Sequence, residues 1–426
     1  MVEKAIEKLN SPSKELRLKA LVAIRAAYDA GNLELPPKTK DVNNHIHTTY
    51  SFSPYAPSNA IFKAYQSGLC TAGIVDHDSV SGAYEFIEAG SIMNFPTTVG
   101  MELRVSVANS PFKNININSP DQNGLLYVIM HAIPKSQIKK VSEFLKPINH
   151  FRGIRNQAMI KKLNDLLTPF SISLDYVNDV LPLSLSKVGG SVTERHLLFA
   201  LAKKIIARYT NRQDLLNFLR SDLKLNVSTK AETMILDIDN PYFEFDLLGL
   251  LKAEFMEKIY IAATDECIDI SEFIAFSKQV GAISCVPYLG DISDSVTGDK
   301  KAQKFEDDIL DELFDYYKSV GFEACAYMPS RNTLDQLKRV QDLCKKHEFI
   351  QISGEDINQP RQDFVCKAAR NEMFSCLYDS TWALIGSEIA SERNIEDSIV
   401  SDKTKIQFPN LDERIEYYKQ IGLNNF

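Results

Sequence analysis

The stretch Val42-Asn43-Asn44-His45-Ile46-His47-Thr48 joins a short strand-like segment to two histidines spaced two residues apart. In a β-strand, residues two apart point to the same face, so both imidazoles would converge on one point. Neutral imidazole is the commonest metal ligand in proteins. The stretch therefore predicts a strand that ends at a metal site, and the alternative is a chance His-x-His pair in a loop.

Strand-like and helical segments alternate on both sides of the interval between residues 151 and 275. Before it, short β-branched runs at 42–48, 71–75 and 97–107 alternate with helical segments at 57–67 and 80–89. After it, the order is a strand at 281–287, a helix at 302–319, a strand at 321–327, a helix at 332–347 and a strand at 348–353. This alternation is typical of βα units and predicts a mostly parallel sheet.

The remaining segments read mainly as helix and set the predicted domain boundaries. Residues 151–275 predict a helical insertion that caps one face of the α/β domain, which would comprise residues 41–150 and 276–360. Residues 1–40 predict an N-terminal helical extension, and residues 361–426 predict a C-terminal one.

Composition excludes several classes of function. The chain has 48 Lys and Arg residues against 56 Asp and Glu residues, a formal net charge of −8, which argues against a duplex nucleic-acid binder. Its seven cysteines include no Cys-x-x-Cys pair, so reduced thiols are expected rather than a disulfide framework or a cysteine zinc site. Without a signal-type segment or an 18-residue apolar run, a cytoplasmic protein with no membrane partner is expected.

Three further strand-like runs lead into polar residues. These are Asp76-His77-Asp78, Gly100-Met101-Glu102 and Gly354-Glu355-Asp356-Ile357-Asn358. In βα-barrels the catalytic groups lie at the carboxyl ends of strands, so these residues are candidates for one site. An alternative for Asp78 or Ser79 is the cap of the following helix.

The chain thus carries four motifs in this order: His-x-His-Thr, Asp-His-Asp-Ser, Gly-x-Glu and Gly-x-Asp-x-Asn. Together these motifs resemble those of the PHP (polymerase and histidinol phosphatase) family. The resemblance covers roughly residues 41–135 and 280–360. It implies a distorted, TIM-like seven-stranded βα-barrel that holds up to three divalent metals at its mouth and hydrolyses phosphate esters.

The resemblance also implies which residues bind metal. One metal would take His45, His47, Glu102 and Asp356. A second would use His77 and Asn358, but Asn358 stands where the family has a histidine, and the stretch Tyr50-Ser51-Phe52-Ser53 offers no strong ligand. Imidazole and carboxylate ligands together suit Zn, Mn or Fe better than Mg or Ca. One or two metals per chain are expected.

The third site that the resemblance implies is incomplete in this chain. Tyr127 and Val286 stand where its two additional histidines would be needed. His131, four residues after Tyr127, is interpreted as a strand-end histidine more than as a ligand. Three metals are therefore not expected.

The predicted function is metal-dependent hydrolysis of phosphate esters, in particular of a small phosphorylated substrate, by a metal-activated water at the barrel mouth. His77 and Asp76 are predicted as catalytic residues. Arg155, Arg195 and His196, in the insertion, are predicted to bind the substrate phosphate, because arginine donates two bonds to phosphate at once. Arg152 is assigned to a solvated helix face.

Two alternatives remain at this point. The chain could be a catalytically weakened PHP module that binds a metal and a small ligand or a protein partner. It could also hydrolyse amides or lactones, as related metal barrels do, although no segment resembles their carboxylated-lysine strand.

Overall fold

The computed structural model describes residues 2–119, 121–291 and 306–426. Its strands are β1 (Val42–Ile46), β2 (Thr71–His77), β3 (Thr97–Ser106), β4 (Leu125–His131), β5 (Ile268–Asp269), β6 (Ile283–Pro287), β7 (Ala324–Tyr327) and β8 (Ile350–Ser353). The helices that precede the insertion and open it are α1 (Val2–Glu7), α2 (Lys14–Asp29), α3 (Pro57–Gln66), α4 (Ala83–Met93) and α5 (Ile138–Leu167).

The insertion continues through α6 (Glu194–Arg208), α7 (Arg212–Asn217), α8 (Thr229–Leu236) and α9 (Phe243–Ile259). The helices that follow are α10 (Ile270–Gln279), α11 (Leu310–Val320), α12 (Leu334–Lys346), α13 (Ser375–Ser391), α14 (Asp402–Gln407) and α15 (Leu411–Leu423). The first residues of the helix predicted at 302–319 lie outside the described residues. Helix α5 runs without a break through the predicted boundary between residues 150 and 151.

Seven strands form one sheet in the order β1-β2-β3-β4-β6-β7-β8, and the short strand β5 pairs with β3. The two outer strands of this order nearly meet, because His47 N donates to Ile357 O at 2.9 Å and Ile357 N donates to His45 O at 3.0 Å just beyond β8. The sheet therefore curls almost into a closed barrel. This confirms the predicted distorted, TIM-like α/β barrel with helical additions.

Strand β4 is antiparallel to both of its neighbours, β3 and β6. Its first residues consequently lie at the carboxyl ends of the other strands, with Tyr127 opposite Arg104. Its last residue, His131, is level with Ile283, the first residue of β6. His131 also lies beside Gly100, where a Cβ atom would come within 3.3 Å of His131 Nδ1. His131 is therefore a strand-end residue, as predicted, but because β4 runs the other way it lies inside the barrel, away from the mouth.

Helix α13 packs against the end of the barrel opposite the mouth. Its residues Ala383 and Leu384 share a buried cluster with inward-facing strand residues such as Ile129 and Ile352. Near the start of β3, Val99 N donates to the half-buried carboxyl group of Glu388 on α13 at 2.7 Å. The C-terminal helices thus complete the core of the barrel.

The insertion has a hydrophobic core of its own, built mainly from α5–α9. Phe52, from the loop after β1, enters this core and packs its ring 4.9 Å from His196 and 5.5 Å from Phe199. The loop in which the resemblance called for a metal ligand therefore anchors the insertion, here called the cap, to the barrel.

The turn after β2 also contacts the cap. Asp78 adopts a left-handed φ of +49°, and its carboxylate lies 3.0 Å from Arg152. Ser79 Oγ donates to Gly189 O at 2.8 Å, and Gly82 precedes α4. The alternative in which Asp78 or Ser79 is the N-terminal capping residue of α4 is therefore wrong. Both side chains instead bind residues of the insertion. Among the described residues, no helix combines the length and apolar character needed to cross a membrane.

Candidate metal centre and active site

Strand β1 carries two histidines to the mouth of the barrel. His45 lies within the strand and His47 follows its last residue. Their Nε2 atoms are 3.1 Å apart, and the two residues are only 5% and 1% exposed. The predicted convergence of these imidazoles is therefore present in the structure.

Glu102 lies on β3 directly beside His77 on β2, as the parallel register of the two strands requires. Its Oε2 atom is 3.0 Å from His77 Nδ1, 3.7 Å from His45 Nε2 and 3.9 Å from His47 Nε2. Burial alone would raise the pKa of Glu102, but the charge of His77 and the interactions with both His77 and His45 hold that pKa well below its usual value. Glu102 is thus an ionised carboxylate at the centre of three imidazoles.

Asp356 follows β8 and completes the group. Its Oδ1 atom lies 3.2 Å from His47 Nε2 and accepts a hydrogen bond of 2.6 Å from Asn358 Nδ2. Burial would raise the pKa of Asp356, but His47, His45 and Arg195 together lower it. The four residues predicted for the first metal therefore meet at one point.

The geometry of this group fits a divalent metal ion. Tetrahedral coordination with bonds of about 2.0–2.1 Å to imidazole places ligand atoms roughly 3.3 Å apart. The His45–His47 and His47–Asp356 separations of 3.1 and 3.2 Å are close to that spacing. The ligand atoms of His45, His47 and Glu102 all lie within 4.8 Å of one another.

Asp76 does not belong to this group but binds the loop that follows β1 and carries His47. Its carboxylate accepts hydrogen bonds of 2.6 Å from Thr48 N, Thr48 Oγ1 and Ser51 Oγ. Ser51 Oγ lies 3.4 Å from His47 Nδ1, an arrangement that leaves Nε2 of His47 for the metal. The structure does not bring Asp76 to the cavity, so its predicted place among the catalytic residues is corrected to a positioning function on the loop after β1.

A cavity of about 690 Å3 lies between the barrel mouth and the cap. From the barrel it is lined by His45, His77 and Glu102, and from the cap by Arg152, Arg195, Met256 and Tyr260, among others. Its size is in the range of clefts that bind small organic molecules, about 300–1,000 Å3. The candidate metal group therefore opens into a substrate-sized space.

Two of the three residues predicted to bind phosphate are turned away from this cavity. Arg155 donates to Glu266 Oε2 at 2.8 Å, to Ile261 O at 3.1 Å and to Glu194. His196 Nδ1 accepts from Thr193 N at 3.0 Å at the start of α6, and burial lowers its pKa to about 3. Neither side chain lines the cavity, and the hydrogen bonds that Arg155 and His196 Nδ1 make are to residues of the cap.

Arg195, the third predicted residue, does line the cavity, and so does Arg152. Arg152 is buried, which contradicts its assignment to a solvated helix face. Arg152 and Arg155 are three residues apart on α5 and therefore neighbours on the same side of the helix. The angle at which the cap sits on the barrel decides which of them reaches the cavity.

A cluster of buried charges joins the cap to the barrel at this point. Arg104 lies 3.3 Å from Glu194 and also binds Glu266. The full cluster has three guanidinium and three carboxylate groups: Arg104, Arg152, Arg155, Asp78, Glu194 and Glu266. Burial would raise the pKa of Glu194, but the three arginines hold it well below its usual value. Sequence reasoning missed Arg104, although it follows Glu102 by two residues and so faces the same side of β3.

The residues that differ from the family pattern have other partners in the structure. Asn358 was predicted as a metal ligand, but its Oδ1 accepts from Arg195 at 2.7 Å and its Nδ2 donates to Asp356, so both polar atoms of the amide already have protein partners. Val286 is buried among apolar side chains. Tyr127 lines the cavity, and burial raises its pKa. Burial and the charge of His45 lower the pKa of His131 to about 3.

Comparisons with known proteins give limited similarities. No family profile matches the chain. A segment of 61 residues is 38% identical to error-prone DNA polymerases of Mycobacterium bovis and Mycobacterium tuberculosis, and it covers 14% of this chain and 6% of the length of those relatives.

Two solved structures resemble the fold. One is described as a metal-dependent phosphoesterase from Bifidobacterium adolescentis, with 17% identity, a TM-score of 0.49, and coverage of 78% of this chain and 94% of that one. The other is an amidohydrolase from Chromobacterium violaceum with bound sulfate and no metal, with 14% identity, a TM-score of 0.49, and coverage of 76% and 90%. At these identities neither defines a substrate for this chain.

The fold and the ligand group together define a βα-barrel protein with a candidate metal centre at its mouth. Within that class, the chain resembles the PHP family: the four motifs lie on or directly after strands β1, β2, β3 and β8, and their histidine and carboxylate side chains meet at one point.

Proposed function

We propose that the chain is a metal-dependent phosphoesterase that hydrolyses small phosphate monoesters in the cavity between barrel and cap. The observation that supports this most directly is the meeting of the His45–His47–Glu102 group with the buried guanidinium of Arg152 in one cavity. A divalent metal bound at the group would polarise a phosphoryl oxygen and lower the pKa of a water molecule.

Arg152 favours an anionic substrate. The side chain is 5% exposed and lines the cavity; it pairs with Asp78 at 3.0 Å, while Glu266 and Glu194 lie 3.6 and 4.0 Å from its Nε and Nη1. These carboxylates hold the guanidinium charged and in place at the wall of the cavity. The planar fork of a guanidinium matches two phosphate oxygens. A substrate phosphate in the cavity would add acceptors to this side chain.

His77 is placed to transfer a proton. Its ring lines the cavity, and its Nδ1 is bound to Glu102 at 3.0 Å, so Nε2 is the ring nitrogen left for a substrate. A histidine in this position can donate a proton to the leaving oxygen of a phosphate ester.

The rest of the cavity would hold the organic part of the substrate. Its wall includes Met256 and Tyr260 on or just after α9 and Tyr288 after β6, which offer apolar and aromatic surface. The volume of about 690 Å3 exceeds what a phosphate group alone would fill. The proposed partner is therefore a small phosphorylated organic molecule.

The proposal is tested by stripping the purified chain with a chelator, restoring Zn, Mn or Fe separately, and assaying phosphate monoesters beside a diester, an amide and a lactone. We expect hydrolysis of monoesters that disappears with the chelator and returns with one or more of the metals. Hydrolysis of only the amide or lactone would contradict the proposal.

A metal-binding module without catalysis is the second candidate, because Phe52 and Asn358 are engaged with the cap instead of a metal. Stoichiometric metal and phosphate binding, without turnover of any ester in the same panel, would favour it over the phosphoesterase.

Replacing Arg152 should weaken phosphate binding while Arg155 serves as the matched control. We expect Arg152→Ala to raise KM for a monoester, and the inhibition constant of inorganic phosphate, by about 10- to 100-fold, since a charge-assisted hydrogen bond is lost. Arg155→Ala, three residues away on α5, should leave both constants unchanged and lower the thermal stability of the cap. Equal effects of the two variants on the phosphate constant would refute the placement of the phosphate at Arg152.

A further inference from the structure

The amide of Asn358 connects the candidate metal centre to the cap. Its Nδ2 donates to Asp356 Oδ1 at 2.6 Å, and its Oδ1 accepts from Arg195 Nη1 at 2.7 Å. These partners fix the orientation of the amide, because a carboxylate can only accept and a guanidinium can only donate. Asn358 is 5% exposed, so the contact is largely closed to solvent.

The loop that carries Asn358 is held by a second set of bonds. Gln362 Oε1 accepts from Asn358 N and Gln359 N, both at 2.8 Å, and Gln362 Nε2 donates to Asp356 O at 2.7 Å. The relative positions of Asp356 and Asn358 are therefore fixed, and the Arg195 side chain is held in place by its hydrogen bond to Asn358.

Arg195 brings a positive charge to the wall of the cavity beside the ligand group. It is the second residue of α6, and it lines the cavity together with His45, His77 and Asp356. Among the described residues, the guanidinium of Arg195 makes its hydrogen bond to Asn358. A guanidinium has several N–H donors in a planar fork, so the remaining donors are available to an anion in the cavity.

A second metal would need ligands of its own near this point. Among the described residues, His45, His47 and Glu102 form the one group of three or more histidine, cysteine or carboxylate side chains with ligand atoms within 4.8 Å of one another. Both polar atoms of the Asn358 amide are hydrogen-bonded, and the Arg195 guanidinium on its oxygen would repel a cation placed beside it.

From this arrangement we infer that Arg195, positioned by Asn358, takes the place of a second metal ion. The centre then holds one metal, and the Arg195 guanidinium binds the phosphate on the side that faces away from that metal. The inference rests on the proposed function for the identity of the anion. An arginine can neutralise charge that develops on phosphoryl oxygens, as arginine residues do in other phosphoryl-transfer enzymes.

Metal stoichiometry tests the inference without any substrate. The chain is equilibrated with excess Zn or Mn, freed of unbound metal, and its metal content is measured. We expect one metal per wild-type chain and two per chain of the double variant Arg195→Ala/Asn358→His, which removes the cation and adds an imidazole beside Asp356. Two metals on the wild-type chain would overturn the inference, and so would one metal on the folded double variant.

Chemical rescue provides an independent readout. We expect Arg195→Ala to lower kcat/KM for a phosphate monoester by about 100-fold or more, and millimolar guanidinium to restore part of the loss. Arg208→Ala, at the other end of α6, is the matched control and should retain both wild-type activity and indifference to guanidinium. Loss of activity in Arg195→Ala without rescue, in a chain that keeps its metal and its fold, would contradict a direct action of the guanidinium on the substrate. If no phosphate ester is hydrolysed by the wild type, the proposed function fails, and the metal count still decides whether Arg195 excludes a second ion.

Discussion

Glu102→Ala is expected to remove the tightly bound metal and to lower metal-dependent phosphatase activity by at least about 100-fold. Residues that merely support a metal ligand change metal affinity or activity by about 10- to 100-fold, so loss of a ligand should cost more. Glu102 lies within 3.0–3.9 Å of three imidazoles, and without its charge those imidazoles lose the anion that holds them together. Metal analysis of the purified variant and its kcat/KM for a monoester are the measurements.

Glu355→Ala is the matched control for this result. Glu355 precedes Asp356 at the same end of the barrel, but its carboxylate accepts hydrogen bonds from Ser330 N and Ser330 Oγ. We expect this variant to keep wild-type metal content and activity. A Glu102→Ala chain that retains stoichiometric metal and full turnover would show that the metal centre lies elsewhere.

The ligand group could be predicted from the sequence because its determinants are local. Strand periodicity places His45 and His47 on one face, and parallel strands bring their carboxyl ends together, which accounts for Glu102, His77 and Asp356. These rules require only that each strand is identified and that the strands run in the same direction. Strand β4 does not meet the second condition, so His131 at its carboxyl end lies away from the mouth and the ligand group.

The contribution of the cap could not be predicted in the same way. Arg152 and Arg155 share one side of α5, and their environments differ because the docking of the cap turns one toward the cavity and pairs the other with Glu194 and Glu266. Likewise, the partner of Asn358 is Arg195, which lies 163 residues away in the chain. Such contacts are properties of the assembled fold, and no local spacing encodes them.

The cluster of six charged side chains stabilises the position of the cap on the barrel. Arg104 and Asp78 belong to the barrel, whereas Arg152, Arg155, Glu194 and Glu266 belong to the cap. Separating the two sides would leave charges of both signs with fewer partners, and a buried charge without its partner is costly. The guanidinium of Arg152, which lines the cavity, is therefore held in position in the free protein, and this lowers the cost of ordering it when a ligand binds.

The N-terminal helices are attached to the barrel by a buried ion pair, and its loss should produce the largest change in stability. Arg17 on α2 donates from Nε to Glu85 Oε1 at 2.7 Å and from Nη2 to Oε2, and the side chains are 6% and 1% exposed. Glu85 on α4 also accepts from Ser58 Oγ at 2.7 Å. The pair thus joins α2 to α3 and α4.

Glu85→Ala is expected to lower the free energy of unfolding by about 3–5 kcal/mol, because the Arg17 guanidinium would stay buried without its partner. The matched control is Lys14→Ala: Lys14 and Glu88 join the same two helices at 2.9 Å, but their side chains are 42% and 51% exposed, so its cost should be about 0–1 kcal/mol. Urea unfolding followed by circular dichroism measures both. The double variant Arg17→Met/Glu85→Leu should recover most of the loss, because apolar side chains of similar volume need no ionic partner. A cost for Glu85→Ala as small as that of Lys14→Ala would mean that the apolar contacts of Leu21 and Ile24, rather than the ion pair, attach α2 to the barrel.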